Sequence, residues 1–256
     1  MAAESTIDPM HQFQISGLTG ALDGTPFVFT NSAMWMLIVL GSITLFMWGG
    51  MKRQLVPGRW QAAVEGMVEF ITGMAVSSIG EEGRRYIPWI FTIFMFILFS
   101  NYLGMLPLAV FGPHPFTVTS QFTITGLMAI MSFSIVLIVG FWKHGLHFFS
   151  LFVPHGTPGP MLPLIVPIEL VSFLVRPFSL ALRLFVAMIA GHILLDVFGN
   201  FIINGIEAGG IGYAISVISF IFIMGVNALE LLVCGIQAYV FALLASLYIN
   251  DAVHLH

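Results

Sequence analysis

Charge is scarce in this sequence: Asp, Glu, Lys and Arg together make up 8% of its 256 residues. Soluble domains carry about a quarter of their residues as charges, so a water-exposed surface of ordinary composition is excluded. With 58% hydrophobic residues and a mean hydropathy of +1.00, the chain reads as a membrane protein in contact with the lipid bilayer. Basic residues are few, 8 Lys and Arg against 12 Asp and Glu, and the formal net charge is −4. That balance, with no basic tail, excludes a nucleic-acid partner and gives no sign of anionic-lipid recognition. Cysteine is nearly absent; Cys234 lies inside an apolar run and has no second cysteine for an internal disulfide. The basic and apolar regions of a cleavable signal peptide are lacking, so residues 1–30 are expected to be a retained polar segment facing outward. There is no H-E-x-x-H and no G-x-S-G-type serine paired with a membrane histidine, which excludes an intramembrane hydrolase. Of the 8 histidines only His192 lies at membrane depth, which excludes bis-histidine haem ligation. His144, His147 and His155 stand among prolines and glycines without acidic or thiolate neighbours, so neither a metal nor any other cofactor is expected.

Long apolar runs are what the chain has in abundance. Those able to cross a membrane are roughly Ala33–Trp48, Tyr86–Phe111, Gln121–Trp142, Pro163–Val197 and Ile211–Ile249. Outside the last two, the basic residues are Lys52, Arg53, Arg59, Arg84, Arg85 and Lys143, all in the loops after the first and third runs. By the positive-inside bias those loops and the C-terminus face the cytoplasm, and the N-terminus and the loops around Pro113 and Asn204 face outward. Over about 59–78 the residues Gln61, Glu65, Glu69 and Thr72 share one helical face, with Trp60, Val64, Met67, Phe70, Ile71 and Met74 elsewhere. That pattern predicts an amphipathic helix on the inner interface. As helices the last two runs are roughly 52 and 58 Å long against a hydrocarbon core of roughly 30 Å, so they cannot stand upright. The last proline is Pro177, and the polar stretch Gly199–Gly210 supplies a turn. The expected fold is an all-α integral membrane protein, a single membrane domain over 31–256. It has about five membrane-crossing helices plus one interfacial amphipathic helix, the last two, over about 163–249, long and tilted as a hairpin.

Several charged residues lie inside those runs. Arg183 is near the middle of the fourth, and a guanidinium stays charged and costs roughly 2.5–3.5 kcal/mol at bilayer depth even on lenient scales. Steps of seven are almost two helical turns, so Glu169, Ser172, Arg176, Ser179 and Arg183 form one polar stripe that faces a partner or water. Arg176 is also placed to snorkel to the inner interface, and Ser172 and Ser179 to bond back to their own helix. In the last run Asn227, Glu230, Cys234 and Gln237 alternate by three and four, a second stripe at membrane depth. His192 is nine residues after Arg183, about 180° around the helix, with Asp196 one turn further on. Two polar faces on one membrane helix suggest two separate wet pathways, and a histidine or carboxylate there can exchange protons with water. A secondary transporter for an anionic solute is the alternative, because a buried arginine can bind an anion. Such transporters use Gly- or Pro-broken helices at the midplane, whereas the run around Glu230 holds no proline.

The segment Arg176-Pro-Phe-Ser-Leu-Ala-Leu-Arg183-Leu-Phe, followed by Ala-Gly-His192, resembles the signature of subunit a of the F-type ATP synthase membrane sector. The likeness extends in order to Asn101-Tyr-Leu-Gly-Met-Leu-Pro107, to Glu230 and to Gly235-Ile-Gln237-Ala-Tyr-Val-Phe. The chain departs at Ala187, four residues after the arginine, where many members have asparagine. Others carry a carboxylate where this chain has His192 and a histidine where it has Glu230, a reciprocal exchange that keeps one imidazole with one carboxylate.

The resemblance implies a non-catalytic stator lying against a rotating c-ring, with two aqueous half-channels and an essential arginine, Arg183, that separates them. It implies Gln237 hydrogen-bonded near Arg183 across the helix pair, and His192 and Glu230 as a relay pair in the outward half-channel. Glu169 and Ser172 belong near the inner exit, with Arg176, Asn227, Asn101 and Asp196 as accessories. The partners it implies are the c-ring, the peripheral stalk b subunits and the other F-type ATP synthase subunits. The membrane expected is the bacterial inner membrane, with an organellar inner membrane as the alternative.

Overall fold

The computed structural model describes residues 30–52, 56–105, 117–153 and 161–254. Arg53, Leu106, Pro107, Pro113, His155 and the expected outward segment up to residue 29 lie outside them. Among the described residues six α-helices make up the fold: α1 Asn31–Gly50, α2 Arg59–Ile79, α3 Ile87–Met105, α4 Phe122–His144, α5 Leu162–Ala208 and α6 Gly212–Val253. Short 3₁₀ segments, Glu81–Arg85, Val118–Ser120 and Gly145–Phe152, stand between them. All six are long and apolar enough to cross a membrane, α2 being the least apolar. The protein is therefore an all-helical, multi-pass membrane protein.

Local chemistry explains the helix ends. Thr30 caps α1 by accepting from the Ala33 amide, and Gly80 stops α2 with a φ of 88° that other residues rarely adopt. In α2 the apolar side chains Val64, Ile71, Met74, Ala75 and Ile79 are buried while Glu65 and Glu69 are exposed. Gln61, expected on the polar face, is instead buried, its Nε2 donating to Glu65 Oε1 at 2.8 Å. Donating an amide N–H along its own helix lowers the cost of that burial.

The turn between the long helices is shorter than the sequence suggests. Residues 199–208 are helical, and only Gly209, Gly210 and Ile211 separate α5 from α6, with φ of 63° and 55° at the two glycines. The helix persists there because its partner satisfies it. Ser216 Oγ donates to Ile202 O, and Gly205 lies so close to α6 that a Cβ would sit 2.3 Å from Ser216 Oγ. Glycine at 205 serves helix–helix approach rather than a turn. With 47 and 42 residues, α5 and α6 are about 70 and 63 Å long.

Packing centres on α6, which touches α2, α3, α4 and most extensively α5. Its buried face is rich in small residues, Ala238, Ala242, Ala245 and Ala252, which let neighbouring backbones come close where lipid offers no hydrophobic drive between helices. Large side chains on α6 near the hairpin turn, among them Phe220, Ile221, Phe222 and Met224, are exposed.

Candidate ion-path site

The hairpin sorts the predicted residues into two sites at different depths along α5, both reaching α6. Arg176 lies toward the end where α4 and α6 finish: His144 Nε2 is 3.1 Å from Val253 O, and Lys143 pairs with Glu82. Arg176 Nη1 donates to Asp251 Oδ2 at 2.8 Å and its Nη2 is 3.8 Å from Glu169 Oε1. Its guanidinium also lies 5.4 Å from the Tyr248 ring centroid and 5.9 Å from that of Phe173. Arg176 thus clasps α5 to α6, with Asp251 as a partner the sequence pattern did not single out.

The expected polar stripe therefore divides. Glu169 and Arg176 turn toward α6, whereas Ser172, Ser179 and Arg183 are exposed, Ser179 bonding back to Arg176 O at 3.1 Å. Seven residues fall about 20° short of two turns, so the stripe drifts along α5. Arg183 takes part in no hydrogen bond or ion pair among the described residues, and none joins it to Gln237. Gln237 is buried with its Nε2 lacking a hydrogen-bond partner among those residues. Asn227 is exposed and stands apart from the buried Glu230, Cys234 and Gln237, of which Glu230 meets α5 and Cys234 meets α5 and α3.

The second site lies nine residues beyond Arg183 along α5, about 13 Å nearer the hairpin turn. His192 Nδ1 is 3.0 Å from Glu230 Oε1 across the helix pair and 3.0 Å from Met188 O on its own helix. Its Nε2 is 3.0 Å from Thr117 Oγ1, in the segment that leads into α4. Glu230 approaches this closely because residue 191 is glycine: a Cβ there would lie 2.5 Å from Glu230 Oε1. Asp196 is half-buried one turn beyond His192.

Asn101 belongs to the same cluster. It is fully buried, its Nδ2 donating to Cys234 O at 3.4 Å and its Oδ1 accepting from Thr119 Oγ1 at 2.6 Å. Tyr102 Oη donates to Leu231 O at 3.2 Å. Thr117 and Thr119 were not singled out in the sequence, where their signal was a polar run, Thr117-Val-Thr-Ser120, immediately before an apolar one; Gly191 stood in the Ala-Gly-His192 motif without a role of its own.

An all-helical membrane protein with an exposed guanidinium at one depth and a buried imidazole–carboxylate pair at another belongs to the class that moves ions through the bilayer. The family model described as "ATP synthase A chain" matches residues 32–250. Relatives named ATP synthase subunit a include those of Sphingopyxis alaskensis, 65% identical, Erythrobacter litoralis, 63%, and Rhizorhabdus wittichii, 62%, each covering 100% of both chains. The chain belongs to the ATP synthase subunit a family, the non-catalytic a subunit of the Fo membrane sector, with other ATP synthase subunits as partners. That membership sets aside the solute transporter as its class.

Proposed function

We propose that this chain is the stationary wall of a rotary proton pathway, lying against a c-ring, with Arg183 separating two aqueous half-channels. The observation that carries the reading is where the carboxylates go. Glu169 and Asp251 face Arg176, and Glu230 faces His192, while Arg183 stays exposed without an ion pair among the described residues. A charge at that depth requires a counter-charge, which is then supplied from outside the chain. A ring carboxylate arriving within about 4 Å of Arg183 gains about 4 kcal/mol at an effective dielectric of about 20, favouring release of its proton about a thousandfold. The guanidinium does not deprotonate, so it also blocks direct passage between the half-channels.

His192 and Glu230 supply the relay of the half-channel that opens on the outer side, near the hairpin turn. Glu169 and Ser172 lie toward the end that collects the basic loops, the inner exit. Asn101 and Asp196 accompany the outer relay, and Gln237 closes the space between the helices. The orientation follows from the same basic loops: N-terminus outside and C-terminus cytoplasmic, in the bacterial inner membrane, with α2 at the inner interface and the peripheral stalk b subunits holding the chain still. Each charge crossing about 100 mV releases about 2.3 kcal/mol, so several protons must be gathered for each ATP, which a rotating ring achieves.

ATP-driven proton pumping in membranes carrying wild type or Arg183→Ala tests the reading once assembly with the ring is verified. Loss of pumping with assembly intact is expected; undiminished pumping overturns it.

A further inference from the structure

The segment between α3 and α4 does more than connect them. Thr117 is 3% exposed, and its hydroxyl reaches His192 Nε2 at 3.0 Å from a turn held at three points. Ser120 Oγ donates to Thr117 O at 2.6 Å, and Thr119 Oγ1 donates to Asn101 Oδ1 at 2.6 Å. The third point is steric: the Thr117 side chain fills the space left by Gly104 on α3, where a Cβ would sit 2.2 Å from its Oγ1. A turn with this many restraints places one hydroxyl against one imidazole nitrogen.

The partners of His192 differ in what they can do. Met188 O and the Gly104 backbone carbonyl accept only, and a carboxylate such as that of Glu230 accepts only in its ionised form. A hydroxyl both donates and accepts. With Met188 O and Glu230 Oε1 both at 3.0 Å, Nδ1 is the nitrogen that carries the hydrogen in the neutral ring. Nε2 is then a bare acceptor, and among these partners the Thr117 hydroxyl is the one that can donate to it.

We propose that Thr117 is the positioning residue of His192. It donates to Nε2 when the ring is neutral and accepts from Nε2–H when the ring is protonated, so that Nδ1 stays on Glu230 in both states. A threonine methyl against Gly104 keeps the hydroxyl in place while its hydrogen turns. Without the hydroxyl, Nε2 of the neutral ring loses the donor that Thr117 supplies, and the ring is held against Glu230 less firmly.

This role presupposes the proton path proposed above, and three variants separate the two. In complexes verified to contain the chain and its ring, Thr117→Val, which keeps the shape without the hydroxyl, is expected to slow ATP-driven pumping about tenfold, the scale of one hydrogen bond to an ionisable group. Thr117→Ser, which restores the hydroxyl, is expected to stay within about twofold of wild type. Wild-type pumping by Thr117→Val, or equal losses in both variants, overturns the assignment. Nitrogen-15 NMR of histidine-labelled wild-type complex provides a reading independent of any Thr117 variant, the His192 signal being identified by its loss in His192→Gln. A neutral ring protonated at Nδ1 with a hydrogen-bonded Nε2 is expected; the opposite tautomer overturns the proposal. Undiminished pumping by Arg183→Ala removes the proton path itself and leaves the tautomer reading intact.

Discussion

A single methyl group at position 191 tests the relay. In Gly191→Ala the new Cβ would fall 2.5 Å from Glu230 Oε1 and 2.7 Å from its Cδ, where ordinary contact begins at 3.4 Å. Relief requires the carboxylate to retreat by about 0.9 Å, the difference between 3.4 and 2.5 Å. The 3.0 Å approach to His192 Nδ1 then opens to nearly 4 Å, the outer limit of a close imidazole–carboxylate pair. A close pairing of this kind in a buried site contributes about 1.5–3 kcal/mol, so pumping should fall roughly 10- to 100-fold. Helix propensity runs the other way, alanine favouring the helix over glycine by about 1 kcal/mol, so the defect is one of function rather than folding. Gly199→Ala is the control, since nothing lies within 4 Å of a Cβ there. The assay is proton uptake into inverted membranes driven by ATP, normalised to the amount of assembled complex. Full pumping by Gly191→Ala in assembled complexes would refute the reasoning, because it would mean the His192–Glu230 contact is not used.

Two further outcomes concern the inner end of the bundle. Asp251→Asn removes the nearer of the two ionic partners of Arg176, from side chains 28% and 35% exposed, so solvent screening holds the loss to about 1 kcal/mol, or roughly 2–4 °C in the thermal midpoint of the purified chain. An unchanged midpoint would count against the clasp. The hydrogen bond from the Lys143 ammonium, and then its charge, hold the Glu82 carboxyl below the usual carboxylate range. A lowered folded value means that the contribution is present above the ordinary range and is lost as pH falls through the folded value. Hydrogen exchange of the Glu81–Arg85 turn, corrected for its intrinsic pH dependence, should therefore rise on acidification in wild type but stay flat in Lys143→Gln.

Much of the architecture was legible because membrane helices announce themselves by composition. Apolar runs with Gly or Pro punctuation placed α1, α3, α4, α5 and α6 within a few residues at most ends, and the mixed face of 59–78 placed α2. The exceptions share one cause. Residues 199–208 read as a turn because Gly and Asn disfavour isolated helices, yet Ser216 and the approach of α6 at Gly205 hold them helical. Gln61 read as polar surface because periodicity says nothing of an amide satisfied by Glu65.

The sequence by itself determined that Arg183 lies at mid-helix, that His192 is on the opposite face of α5, and that Glu230 lies near the middle of α6, since helical rise and rotation follow from residue counting. Only the tertiary structure decided who touches whom. It gave Asp251 and Glu169 to Arg176, left Arg183 on the outer face, separated Asn227 from Glu230, and brought Thr117 and Asn101 from another part of the chain to the His192–Glu230 pair. Spacing within a helix is a local property of the backbone. Contacts between helices depend on how closely two backbones approach, which here rests on glycines at 104, 191 and 205 whose partners are distant in sequence.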